Sequence, residues 1–327
     1  MAAFKTMSRK NRDNRLRRRL LIAGLAAFLI FDVALVAFAL TDSKPPANAG
    51  AVVEPVETNP AVVEPVGTNP PVVAPVETAP AAVETQAPNR ILAALDASTA
   101  WRATTGACPA TTANPELTTD DGATWNGFDA SAGTDASSVL AIDIMSKSQV
   151  SLVTLKASDC TPQRVTTYVA GDAWQEYPDR VAANWYVDPA NRAVVHSPAG
   201  SFPASCPTVI ALAPRSDTVG AALCSNGTLL RTGDGGATWG PGSPLPGAAN
   251  INVSADGYIV VAANQPGCAG AQVFSTPEAL DGALTPGGCR EGAFNPGDVA
   301  VASTDGIVWL WAGDVVSRSS NGGSEWQ

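Results

Sequence analysis

The chain of 327 residues has a single histidine, His196, and no Cys-x-x-Cys pair. Structural zinc sites draw on several Cys and His ligands at short spacing, so that chemistry has almost nothing to build on. A serine–histidine–acid arrangement would have to use His196, and no Gly-x-Ser-x-Gly elbow occurs. Positive charge is scarce beyond the first turns of chain. Residues 1–19 hold eight Lys or Arg and one acid, Asp13; the remainder has 12 Lys or Arg against 29 Asp or Glu, a net of −17. Nucleic-acid binding needs a basic footprint, so this acidic body excludes it. Solubility accounts for the acidity. No metal and no cofactor is expected.

What is present begins with a basic run, "RKNRDNRLRRR" (Arg9–Arg19), followed by "LLIAGLAAFLIFDVALVAFAL" (Leu20–Leu40). These 21 residues are long enough to cross a bilayer core. Asp32 is the one charge inside, costing about 2.5–3.5 kcal/mol near the bilayer centre. The 13 Leu, Ile, Val and Phe residues of the segment return about 4–8 kcal/mol together. The expectation is a signal anchor at 20–40, with residues 1–19 cytoplasmic and the rest extracytoplasmic by the positive-inside rule. A cleaved signal peptide is the alternative, because "AFA" (Ala37–Ala39) has the small-x-small form of a cleavage site. Asp32 either meets a partner helix or is merely tolerated.

Residues 41–88 read as a Pro/Val/Glu-rich spacer. Three decapeptides cover 51–80, "AVVEPVETNP", "AVVEPVGTNP" and "PVVAPVETAP". Proline at this frequency forbids helix and sheet interiors and favours an extended polyproline II state. At about 3.1 Å per residue the spacer could reach roughly 120–140 Å. A proline-motif ligand is a weaker reading, since no basic or aromatic anchor interrupts the repeat.

The remaining residues, 89–327, are rich in short alternating apolar runs and turn residues, the pattern of an all-β domain. One spacing organises them. In "RTGDGGATWG" (Arg231–Gly240) it reads Thr232, Asp234, Gly236, Trp239. It recurs as Thr118, Asp120, Gly122, Trp125; as Ser319, Asn321, Gly323, Trp326; and, without the acid, as Thr167, Gly171, Trp174. The interval from Trp239 to Trp326 leaves room for one more copy, placed at "STPEALDG" with Ser275 at the first position. Each copy follows three apolar runs, as in "INVS", "GYIVVAA", "AQVFST". Strand, strand, strand, motif and a short fourth strand, at a period of about 45 residues, is the signature of propeller blades. The expectation is a five-bladed β-propeller over 89–327, closed by a strand from Ala81–Ala87 completing the last blade.

All six cysteines lie beyond residue 100, outside the cytoplasm on this topology, and an even count there reads as disulfides. Strand alternation puts them on the face opposite the motif turns. Cys206 starts a strand whose antiparallel partner ends at Cys224, so these two pair. Cys268 with Cys289, spanning neighbouring blades, comes next, and Cys108 with Cys160 remains by elimination.

The motifs "TTDDGATW", "TGDGGATW" and "SSNGGSEW" resemble the Asp-box, or bacterial neuraminidase, repeats. Those occur in sialidases, sortilin-type receptors, certain xyloglucanases and photosystem II assembly factors, where the box links the third and fourth strands of a blade. The resemblance covers 89–327 only and implies a structural turn; a calcium site would need more converging oxygens than each copy offers. Sialidases use three arginines, a Tyr–Glu pair and an Asp acid, and carry an Arg-Ile-Pro motif on six blades. Here "NRIL" (Asn89–Leu92) lacks the proline, no arginine triplet stands out, and five blades are counted. The xyloglucanase resemblance fails on size.

The longest irregular stretch, Gln175–Ser205, carries Arg180, Trp185, Tyr186, Arg192 and His196. Aromatics beside Arg would suit a sugar or an acidic partner; blade packing is the plainer reading. Asp172, Glu176 and Asp188 are the nearby carboxylates. These readings point to a surface-anchored binding or scaffold module for an envelope glycan or protein. A sialidase-like glycoside hydrolase and an assembly factor for a membrane complex are the alternatives. Convergent carboxylates in the central cleft would favour the hydrolase.

Overall fold

The structure is a computed structural model that describes residues 86–327; the N-terminus, the 20–40 anchor and the spacer up to residue 85 lie outside those residues. Among the described residues no helix is long and apolar enough to cross a membrane.

The chain is all-β and forms six sheets. Sheet one holds β1 (Arg90–Ala94), β2 (Ala100–Thr104), β3 (Glu116–Thr118) and β4 (Asn126–Gly127). Sheet two holds β5 (Ala136–Ile144), β6 (Val150–Lys156), β7 (Pro162–Thr167) and β8 (Gln175–Glu176). A 3-10 helix, Pro178–Ala183, leads to sheet three: β9 (Tyr186–Val187), β10 (Val194–Ser197) and β11 (Gly200–Pro203). Sheet four is β12 (Val209–Pro214), β13 (Gly220–Cys224), β14 (Thr228–Thr232) and β15 (Ser243–Pro244). Sheet five is β16 (Ala248–Ser254), β17 (Gly257–Gln265), β18 (Cys268–Pro277) and β19 (Thr285–Glu291). Sheet six has β20 (Val299–Thr304), β21 (Ile307–Ala312) and β22 (Val315–Ser319).

Within each sheet the strands are antiparallel meanders, and the first strand lies innermost. The inner strands form a closed ring. Asn250 and Asn252 donate from β16 to the carbonyls of Val299 and Val301 in β20 (3.2 and 2.9 Å). The Asn89 N–H reaches Gly297 O at 2.8 Å, joining the last sheet to the first. Arg215 clasps sheet five through Ser254 O and Ala255 O (2.9 and 2.7 Å).

Six blades replace the expected five. The extra one is sheet three, inside the stretch read as irregular linker. Its last turn, "SPAGS" between β10 and β11, has no Asp and no Trp, so the motif spacing does not mark it. Its inner strand also runs the other way. Trp185, just before β9, donates its indole N–H to Ser216 O beyond the end of β12, at 3.0 Å. Arg192, after β9, donates to Val209 O at the start of β12, at 3.0 Å. So β9 and β12 are antiparallel in direction. The chain fits a small blade there without a full four-strand period.

Buried apolar clusters fill the junctions between sheets. Trp101, Val139 and Leu152 join sheets one and two; Val195, Val209 and Ala222 join three and four. Similar clusters join four to five, five to six and six to one. Among the described residues no such cluster spans sheets two and three. Sheet two turns Ser151, Arg164 and Thr166 outward there, with Arg164 bonded to Ser151 Oγ (2.6 Å) and Asn184 Oδ1 (3.5 Å).

The disulfides are Cys108–Cys160, Cys206–Cys224 and Cys268–Cys289, with Cα separations of 5.8, 6.0 and 5.7 Å. The first ties sheet one to sheet two. The third does not span blades as expected: Cys289 lies in β19, so both ends belong to sheet five. Most of the expected closing strand, 81–87, lies outside the described residues. Gln86 and Ala87 pair with no strand, and Ala87 packs against the sheet-four and sheet-five cluster. At the outer edge of β22, Gln327 exchanges both backbone hydrogen bonds with Arg318 (2.9 and 3.0 Å).

Candidate functional site

The repeated turns are built alike. Thr118 donates to Asp120 Oδ1 (2.8 Å) and accepts the Gly122 N–H (3.0 Å). Asp120 also receives the Thr124 N–H (2.9 Å) and hydroxyl (2.6 Å). Thr232, Asp234, Gly236 and Thr238 repeat every bond. In sheet six Ser319 donates to the Asn321 amide oxygen (2.9 Å) and accepts the Gly323 N–H (2.8 Å). Thr167 keeps only the backbone half, accepting the Gly171 N–H at 3.0 Å. Glycine at the fifth position answers to φ of +84, +103, +96 and +88° at Gly122, Gly171, Gly236 and Gly323, where a Cβ would be strained. Three donors hold Asp234 at about 2, below its ordinary 3.8, chiefly the Thr238 hydroxyl. Asp120 is lowered by the matching Thr124 bonds.

Each tryptophan of the motif glues its blade to the preceding one. Trp174 meets Trp101 edge-on at 6.1 Å. Trp239 packs on the cluster of sheets three and four, and Trp326 on that of sheets five and six. Trp125 lies under the Arg102 guanidinium at 4.2 Å. Among the described residues the indole N–H groups of Trp174, Trp239 and Trp326 find no acceptor. Ser275 needs correction. It is exposed in β18, whereas Thr276 pairs with Tyr258 as Ser319 pairs with Val308. Thr276 therefore holds the buried first position, and the spacing argument missed by one residue.

The inner strands enclose a cavity of about 570 Å³ with contributions from all six sheets. Leu92, Leu140, Ile142 and Leu212 supply apolar wall. The charges divide by end. Arg90 and Arg192 sit where β1 and β12 begin, the end that carries the disulfides. Asp143 and Asp217 sit toward the opposite end, at or beyond the last residues of β5 and β12. Asp143 is open to channel solvent, yet the surrounding protein still strips enough water to raise its carboxyl, with Arg164 opposing. Sequence reasoning did not single it out; an acid inside the alternating run "VLAIDI" was the available signal.

The five residues proposed from the irregular stretch scatter. Trp185 and Tyr186 are buried. Arg180 is exposed, with its guanidinium 4.7 Å from the Tyr177 ring. Arg192 spends its donors on Val209 O and Ile210 O (3.0 and 3.2 Å), and burial lowers its pKa. His196 stacks on Tyr186 at 4.4 Å and bonds Asp188 Oδ2 (3.0 Å) and Ser201 Oγ (2.6 Å). Asp172 is exposed in the turn after β7, and Glu176 in β8 accepts the Asp135 N–H. No group of three or more His, Cys, Asp or Glu gathers among the described residues. The cavity arginines do not form a clamp: Arg215, at the acidic end, is taken up by backbone carbonyls and Glu278 (2.9 Å). Blade count, by contrast, no longer separates this chain from sialidases.

No protein-family model matches the chain. No curated protein matches it. Among solved structures it is similar to "YCF48 bound to D1 peptide", at 16% identity and a TM-score of 0.28, over 75% of this chain and 68% of that one. It is similar to YCF48 from Cyanidioschyzon merolae at 13% identity and a TM-score of 0.30, over 75% and 85%. The GH74 xyloglucanase from Xanthomonas campestris gives 17% identity and a TM-score of 0.29, over 72% of this chain and 37% of the enzyme. At these values the fold rests on the chain's own sheets and ring.

Proposed function

We propose that the chain is a membrane-anchored, extracytoplasmic binding or scaffold module whose ligand is an envelope glycan or protein. On this reading residues 20–40 anchor it, 41–88 hold it away from the membrane, and the turns at Thr118, Thr167, Thr232 and Ser319 are Asp boxes.

One observation carries the reading. The ring encloses a cavity of about 570 Å³ lined by all six sheets, with Asp143 and Asp217 toward one end and Arg90 and Arg192 toward the other. A concave site with a few placed polar groups is what binding needs. The three disulfides support an oxidising compartment.

The test is capture by the full chain in detergent against cell-wall glycans and envelope proteins. Asp143→Asn, which alters the cavity, is expected to weaken capture at least tenfold. Asp256→Asn, exposed in a hairpin turn outside the cavity, is expected to leave it unchanged. Equal capture by both variants would sink the cavity as the site, and multiple-turnover glycan cleavage would favour a hydrolase instead.

A further inference from the structure

Sheet three brings an acid, an imidazole and a hydroxyl into line. His196 in β10 stands directly opposite Ser201 in β11 and Tyr186 in β9. All three side chains therefore share one face. Val195 lies on the other face, in the cluster with sheet four. The shared face looks toward sheet two, the junction that lacks a buried apolar cluster among the described residues.

The bonds set the protonation. Burial works against the Asp188 charge, but the His196 hydrogen bond and the N–H groups of Asn191 and Ala190 outweigh it, so the carboxyl is lowered and ionised. An ionised carboxylate only accepts, so His196 Nε2 carries the proton toward Asp188 Oδ2 at 3.0 Å. That leaves Nδ1 as the acceptor 2.6 Å from Ser201 Oγ. Stacking on Tyr186, 7° from parallel, holds the ring plane. Ser201 is exposed, and β11 is an edge strand. The two-residue turn after Ser197 makes Ser197–Gly200 the hydrogen-bonded pair, so strand alternation points the Ser201 N–H outward from the edge. A donor there faces any oxyanion formed on Ser201.

We propose that Ser201, His196 and Asp188 form a nucleophilic relay that hydrolyses short-chain acyl esters displayed on an accessible alcohol. Ser201 Oγ attacks the ester carbonyl as its proton passes to Nδ1. The imidazolium returns that proton to the departing alkoxide, releasing the alcohol and leaving an acyl-Ser201. Water then adds to this ester, gives a proton to Nδ1, and the same proton restores Ser201 as the carboxylic acid leaves. Asp188 steadies the imidazolium throughout. The open edge at exposed Ser201 suits an ester carried on a large partner over an engulfed small molecule.

The experiment treats the full chain in detergent with a fluorophosphonate probe and with p-nitrophenyl acetate. Peptide mapping of the unaltered chain is expected to place the label on Ser201 and not on exposed Ser324. Ser201→Ala is expected to abolish labelling, and His196→Gln and Asp188→Asn to lower it about a hundredfold or more. Ester hydrolysis should fall in step while thermal melting stays cooperative. A folded, unaltered chain that leaves Ser201 unlabelled overturns the proposal and makes the three residues a cross-strand fastening only. Labelling that survives His196→Gln unchanged overturns the relay.

Discussion

Sheets three and four are neighbours that reach the same ring by different means. Sheet four has four strands, an Asp turn with every bond made, and a full line of buried residues from Ala221 to Cys224. Sheet three has three short strands, an inner strand of reversed direction, and a hairpin in place of the turn. Yet Ser197, at the end of β10, still caps that hairpin: its hydroxyl donates to Gly235 O (2.6 Å) and accepts the Ala199 N–H (3.1 Å). A hydroxyl at the end of the strand that leads into the turn, Ser197 of β10 or Thr232 of β14, is the part both retain. The Asp and Trp are elaborations that stiffen the turn and bind the preceding blade. A blade survives without them when its neighbour supplies the packing.

That contrast can be broken in four ways. Leu229→Ala in β14 removes a fully buried side chain and should cost about 2–5 kcal/mol by denaturant unfolding. Val195→Ala in β10 should cost less. A larger loss at Val195 would mean that sheet three, not sheet four, holds the ring together. Replacing Cys206 and Cys224 together by Ser removes the tether between the two sheets. At a sequence separation of 18, the loss should be about 2–4 kcal/mol. Reductant should destabilise the parent chain and leave this variant less affected.

Thr232→Val takes the acceptor from the buried Gly236 N–H and should cost about 1–3 kcal/mol. Ser197→Ala tests the same role in sheet three through Gly235 O, and equal losses would show that the hydroxyl matters more than the Asp. The smallest effect concerns pH. Asp234 titrates at about 2 when folded, against its ordinary 3.8. A depressed carboxyl stabilises the fold above the unfolded value and loses that contribution as pH falls from 3.8 toward 2. Carboxyl titration by NMR should place Asp234 low, and Asp234→Asn should flatten acid unfolding over that window. Sheet six already carries Asn321 at this position, so its turn should show no such dependence.

Much of the fold was legible because β-strands alternate and turns need particular residues. The runs "INVS", "GYIVVAA" and "AQVFST" lie within β16, β17 and β18, strands where alternation placed them. Cys108 and Cys160 sit in second hairpins and Cys206 in a blade connection, whereas Cys289 lies within β19. Sheet three was hidden because its length is irregular and its turn carries no spacing signal. Ser275 was off by one because stepping at a mean period ignores a hairpin of different length. Ser201 was passed over although "HSPAGS" holds a two-residue turn, which puts it opposite His196.

Sequence alone determined the local rules: which runs pair and which glycines take the positive φ of the turns. Those depend on residues within a few positions of one another. Tertiary structure alone decided the sixth blade, the reversed β9, the two-ended cavity and the meeting of Asp188, His196 and Ser201. Each of these comes from how sheets pack side by side, and packing between sheets answers to shape and burial across the ring, which no fixed spacing along the chain records.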